Sequence, residues 1–142
     1  MSPSTPAIRP AITTDIHDVL DLWVRAAARP SATDTAPDLA RVVDAPHAVV
    51  FVAVAENGLF VGSLIVTFDS WRGNFYRMAV APEVRRFGIA SRLARAGEEW
   101  LRHADAVRLS ALVEGDREVA QAFWESVGFE HYAGMRRYSK NL

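Results

Sequence analysis

Residues 48–68 read AVVFVAVAENGLFVGSLIVTF, two apolar runs of strand length on either side of Glu56-Asn57-Gly58. Val, Ile and Phe suit the pleated surface of a sheet, and Asn-Gly supplies the left-handed conformations that a tight reversal needs. An antiparallel hairpin over 48–55 and 59–68 is therefore the feature that any fold of this chain has to extend and cover. NFYRMAVA (74–81), after the loop DSWRG and closed by Pro82, adds a third strand. AIRPAI (7–12) reads as a brief edge strand, because Pro10 lacks the amide that a central strand must donate.

Elsewhere the period changes. Thr14 is the expected N-cap of a first helix, with Asp15 and Asp18 at the positive end of its dipole. Ile16, Val19, Leu20, Trp23, Ala26 and Ala27 mark one face of it, and Pro30 lies beyond its end. The stretch from Ser31 to Pro46 carries one short helical phrase, PDLARVV, and suits a segment that covers a pocket. From Gly88 onward, Ile89, Leu93, Ala96, Trp100 and Leu101 form a helical face. AVRLSALV (106–113) predicts a strand, REVAQAFWESV (117–127) a helix stopped by Gly128, and GMRRYSK (134–140) a closing strand. The order β, α, short α, β, β, β, α, β, α, β, β specifies an α/β chain with a mixed sheet. Hairpins come first, then one right-handed β-α-β crossover between parallel strands.

A chain of 142 residues, half of them hydrophobic, fits a single domain over 1–142 that buries its own core. Its formal net charge of -1 argues against a dedicated nucleic-acid or membrane-surface binder, so a patch such as Arg85, Arg86, Arg92 and Arg95 has a local purpose. With no cysteine there is no disulfide framework. The segment MSPSTPAIRP lacks the apolar core of a signal peptide, and a cytoplasmic setting is the expectation. His17, His47, His103 and His131 have no metal-ligand spacing, and no metal is expected.

Between the third strand and the long helix stands VRRFGIAS (84–91). A strand, a tight turn and a helix opening at Gly88 gather unpaired backbone amides at the positive end of a dipole, which makes an anion site. Arg85 and Arg86 add charge, and Gly88 lets a ligand approach the backbone. Neither the P-loop nor the three-glycine dinucleotide pattern is present.

In MAVAPEVRRFGIASRLARAGEEWL the residues Arg85, Gly88 and Ala90 fall where Gln/Arg-x-x-Gly-x-Gly/Ala requires them, and AFWESVGFEHYAGMRRYSK follows downstream. On these segments the chain resembles the GNAT (GCN5-related N-acetyltransferase) superfamily. The resemblance implies the GNAT acyl-CoA N-acyltransferase fold, a central mixed sheet with a splayed parallel pair flanked by helices. It also implies that acetyl-CoA is the acetyl donor. Its pyrophosphate would rest on the amides of Arg86, Phe87, Gly88, Ile89, Ala90 and Ser91, and its pantetheine arm along Met78, Ala79 and Val80. An amine would attack the thioester directly, with a backbone N–H near Val80 steadying the oxyanion.

The chain departs from the family's pattern in three places. Trp124 stands where a tyrosine often protonates the leaving thiolate, and an indole is a donor only. Arg117, beside Asp116, stands where asparagine is common. Leu112 replaces a glutamate found in some members, with Glu114 on the same face as a candidate base. Tyr132 is a candidate acid, with Tyr138, Ser126 and His131 as other proton carriers, and Arg117 and Trp124 also border the expected cofactor site. Asp69, Trp71 and Asn74 are candidates for an acceptor pocket against the ordinary reading as turn residues. Asp34, Asp38 and Asp44 would favour a cationic acceptor. The reading is N-acetyl transfer to a primary amine of a small molecule, less readily of a peptide. The alternative is a non-catalytic acyl-CoA binding or sensor module. The resemblance further implies a homodimer as a common state.

Overall fold

The computed structural model describes residues 5–85, 87–113 and 118–142. The chain divides into two compact units, Met1–Ala111 and Leu112–Leu142.

The first unit is built on five strands in sequence order: β1 (Ala7–Pro10), β2 (Ala48–Val54), β3 (Phe60–Phe68), β4 (Gly73–Val80) and β5 (Leu109–Ala111). All neighbours are antiparallel except β4 and β5, which run parallel. The central hairpin closes through a three-residue loop, as the sequence requires. Gly58 donates to the Ala55 carbonyl (2.8 Å) and sits at φ +86°, and Ala55 donates to the Leu59 carbonyl (2.9 Å). β1 is an edge strand ending at Pro10, two residues short of the expected run, and Ile12 is exposed.

Helices α1 (Ile16–Arg25), α2 (Ala36–Asp44) and α3 (Ile89–His103) cover the sheet. Ser63 in β3 is fully buried and accepts from the indole Nε1 of Trp23 in α1 (2.9 Å). The residues on either side of it turn the other way. A Cβ at Gly62 would lie 2.9 Å from Ile89, and one at Gly97 of α3 would lie 3.1 Å from Leu64 and 2.6 Å from the Phe75 ring. Alternation therefore sets α1 and α3 on opposite faces of the sheet, with α3 seated so closely that Gly62 and Gly97 have no room for a side chain.

Thr14 is not the N-cap of α1. Residues Thr13–Asp15 form a short turn of 3-10 helix, and Asp15 stands at the N-cap position without a side-chain cap bond to α1; its carboxylate instead accepts from the Ile12 amide (2.8 Å) and from Arg9 (2.7 and 3.1 Å). Leu22 rather than Ala27 completes the buried face, and Leu20 is only half-buried. Ala27 has left the helix at φ +57°, in a motif where it donates to Val24 and Ala28 donates to Trp23. α3 ends the same way, with Asp105 at φ +66° and Ala106 donating to Leu101. That exit uses residues the sequence pattern assigned to a strand, so 106–113 contributes only Leu109–Ala111 and Val107 is exposed. On α3, Ala94 and Gly97 join Ile89, Leu93 and Leu101 in the core, while Ala96 and Trp100 are half-buried.

The second unit holds α4 (Glu118–Ser126), stopped at Gly128 (φ +98°) by the same cap. Trp124 lies edge-to-face with Phe123 and Phe129, each centroid 5.0 Å away. The expected closing strand is absent: 134–140 has no strand pairing among the described residues. Among those residues no helix is long and apolar enough to cross a membrane.

The Arg9–Asp15 pair ties β1 to the start of α1. The hydrogen bonds from Arg9, aided by the Ile12 amide, hold the Asp15 carboxyl below the usual carboxylate range. The contribution is present above the ordinary aspartate value of about 3.9 and is lost as pH falls through the depressed one. Asp15→Asn should cost roughly 1–3 kcal/mol in urea unfolding at neutral pH, and its deficit should shrink in acid. A deficit independent of pH would contradict this role.

Candidate active site

β4 is paired with β3 from Gly73 to Val80, with one bulge, but only in part on the other side. Gly73, Asn74 and Phe75 pair with Leu109, Ser110 and Ala111, and from Tyr76 to Val80 the outer edge has no strand against it among the described residues. The parallel pair therefore parts where the sequence motif begins.

Which amides point into the opening follows from two hydrogen bonds. Gly73 donates outward to Arg108 (2.9 Å), whereas Ala81, eight residues on, donates inward to Val61 (2.9 Å). In an unbroken strand residues an even number apart face the same side. The phase reverses because Tyr76 faces Ile65 while Ala79 faces Ser63, leaving Arg77 and Met78 together opposite Leu64. Arg77 sits at φ +53° in this bulge. Beyond it the backbone of Ala79 turns toward β3, and those of Met78 and Val80 turn to the open edge.

A turn through Pro82–Val84 leads to α3. Gly88 is the N-cap at φ +75°, with no side-chain cap, and a Cβ there would meet nothing within 4 Å. The first intrahelical bond runs from Arg92 to the Gly88 carbonyl (3.1 Å), so the amides of Gly88, Ile89, Ala90 and Ser91 have no helical carbonyl to bond. The Phe87 amide is already bonded to Val84 (3.3 Å), and its ring is exposed. An open strand edge and a bare helix N-terminus thus lie within one stretch of chain, Met78 to Ser91. Chemically, the first is a ladder for an extended amide-bearing chain and the second a seat for an anion.

Other expected residues behave differently. Arg85 donates through Nε to the Val80 carbonyl and through Nη2 to the Ala26 carbonyl, both at 3.3 Å, so its guanidinium joins the end of β4 to the end of α1. Arg86, Glu114 and Arg117 lie outside the described residues. Trp124 and Tyr132 belong to the second unit, where the exposed Tyr132 hydroxyl reaches Glu130 (3.4 Å).

The acid-rich lid expectation needs correction. Asp34 is engaged by Arg77 (2.7 and 2.8 Å), and Asp38 accepts from Thr35 and from Arg41, leaving Asp44 exposed. The Thr35 hydrogen bond and Arg41 hold the Asp38 carboxyl below its ordinary range. Asp69 is a turn residue, accepting from the amides of Arg72 and Trp71, which depress its carboxyl likewise, while Trp71 stacks under Arg72. Asn74 sits in β4 opposite Thr67. Among the described residues no cluster suits a metal ion.

A mixed sheet with a parting parallel pair and a glycine-capped helix beside it defines the acyl-CoA N-acyltransferase class of fold. The acetyltransferase (GNAT) family model matches residues 16–129. The chain belongs to this family, and its reaction is accordingly acetyl-CoA-dependent N-acetyl transfer. Among solved structures, it is similar to the aminoglycoside N-acetyltransferase AAC(6')-Iy in complex with a bisubstrate analog, CoA-S-monomethyl-acetylneamine. That match has 19% identity, 98% of this chain and 100% of that one covered, and a TM-score of 0.80. AAC(6')-Ig from Acinetobacter haemolyticus matches at 19% identity, with 96% and 99% covered and a TM-score of 0.78. A transcriptional regulator from Bacillus halodurans matches at 18% identity, with 96% and 99% covered and a TM-score of 0.77. At these identities the likeness is one of fold.

The left-handed backbone of Gly88 has a cost that any side chain should reveal. Gly88→Ala should lose about 1 kcal/mol of stability, measured by denaturant unfolding; an unchanged or raised midpoint would contradict the N-cap geometry.

Proposed function

We propose that the chain acetylates a primary amine of a small molecule, with acetyl-CoA lying across the open edge of β4 and the N-terminus of α3. The observation that carries this reading is the phase reversal in β4. It aims the Met78 and Val80 amides at the opening that leads to the free amides of Gly88, Ile89, Ala90 and Ser91. When bound, acetyl-CoA supplies an activated thioester whose acetyl group passes to a neutral amine as the thiolate leaves. The chain's own part is to hold and orient it. The α3 amides seat the pyrophosphate, the outward groups of Met78 pair with the pantetheine amides, and the outward N–H of Val80 donates to the acyl oxygen. Donors fixed in a strand need no reorganisation during the reaction.

Glu114 is proposed to take the amine's proton through water, and Tyr132 to return one to the sulfur. Because a thiol's ordinary pKa is about 8.5, the leaving group needs less help than an alkoxide, and Trp124 in place of a tyrosine is compatible with turnover. A small-molecule acceptor is supported by the similar structures of aminoglycoside acetyltransferases, one of them in complex with sisomicin. The absence of cysteine suits a reducing cytoplasm, which we take as the setting.

Calorimetric titration with acetyl-CoA, followed by polyamines and aminoglycosides while free thiol is monitored, tests this directly. Saturable binding and thiol release with at least one amine are expected; absence of binding, or binding with release from no amine, would contradict it. Gly88→Gln should weaken acetyl-CoA binding by at least about tenfold in a folded protein, through strain and a side chain over the amides. Trp124→Phe should keep turnover within about threefold, since an aromatic ring between Phe123 and Phe129 is retained. A collapse of turnover with acetyl-CoA affinity preserved would make the indole part of the chemistry.

A further inference from the structure

Two arginines bracket the open half of β4, and both reach the same loop. Arg85 holds the Ala26 carbonyl where α1 ends, and Arg77 holds both carboxylate oxygens of Asp34 just before α2. The loop 26–35 is thus fastened at its two ends to the segment that carries Met78 and Val80. Arg77 is also the pivot of the phase reversal, and its φ of +53° is strained for a residue with a side chain. Such a conformation persists only where the surroundings hold it. Here they hold it twice. Its carbonyl accepts from the buried Ser63 hydroxyl (3.3 Å), which itself accepts from Trp23. Its guanidinium lies 5.2 Å over the Trp23 ring while pairing with Asp34, and both partners of that pair are largely shielded.

We propose that Arg77 is a positioning residue for acyl transfer. Its anchored left-handed bulge turns the Met78 and Val80 amides to the open edge and ties them to the α1–α2 loop. Without the bulge the strand phase would run on unreversed, presenting Ala79 outward and Val80 to β3. The inference rests on the reading that acetyl-CoA lies along this edge.

Two variants separate conformation from charge. Arg77→Val and Arg77→Gly both delete the guanidinium, but valine resists a positive φ and glycine accepts it. With calorimetry as the readout, Arg77→Val should weaken acetyl-CoA binding by at least about tenfold, and Arg77→Gly by no more than about threefold. Adenosine 3′-phosphate 5′-diphosphate carries the pyrophosphate without the pantetheine arm. Its affinity should be unchanged in both variants, a result that general damage to the fold would not give. Should Arg77→Val be too unstable to titrate, Asp34→Asn cuts the side-chain tether alone. It should weaken acetyl-CoA about threefold with the fragment unaffected.

Wild-type affinity for acetyl-CoA in Arg77→Val or, in its place, in Asp34→Asn would overturn the assignment, as would equal losses in the valine and glycine variants. Failure of the unaltered protein to bind acetyl-CoA would instead remove the acyl-CoA reading on which it rests.

Discussion

Backbone amides must be bonded, and β4 has two edges to satisfy with strand pairing for only one and a half. Its inner edge is spent on β3 except at the bulge of Arg77 and Met78. Its outer edge is spent on β5 as far as Phe75 and then stops, because β5 itself ends at Ala111, the partner of Phe75. The outward amides of Met78 and Val80 must therefore pair with water or with a ligand, the Val80 carbonyl being held by Arg85. The site follows from that shortage, since a strand whose neighbour has ended is a template for an extended molecule.

The rest of the first unit keeps this arrangement rigid. α3 is pressed on the sheet through Gly62 and Gly97, which fixes the position of its bare N-terminus relative to the strands. On the other face, Trp23 reaches through Ser63 to the Arg77 carbonyl, so α1 bears on the bulge itself. Arg85, which sequence alone assigns to a phosphate, joins Val80 to the end of α1 instead. Its hydrogen bonds serve the scaffold.

Much of this is legible in the sequence, and the rest is hidden for physical reasons. The hairpin at Glu56-Asn57-Gly58, the third strand, and the helix opening at Gly88 are written in residue types that have few alternatives. The bulge is not, since nothing in Tyr76-Arg77-Met78 announces a positive φ; it is imposed by Ser63 and Trp23, which are distant in the chain. Ala27 and Asp105 take left-handed caps where glycine is the usual signal, so the sequence pattern counts Ala27 in the face of the first helix and starts the fourth long strand at Ala106, inside the exit from α3. Asp15 looked like a dipole partner and proved to be the buried link to Arg9, because its partner lies in another element. The apolar and basic mixture of 134–140 suggested a strand, but a sheet position depends on a neighbour that local pattern does not encode.

The central claim is that acetyl-CoA occupies the outer edge of β4 and the N-terminus of α3 together. Amide hydrogen exchange followed residue by residue by NMR, with and without acetyl-CoA, tests it most directly. The account predicts that acetyl-CoA slows exchange at Val80, on the strand, and at Ile89, Ala90 and Ser91, on the helix, while Ala79 and Ala81, already bonded to β3, change little. Protection confined to one of the two segments, or lying elsewhere in the chain, would contradict it.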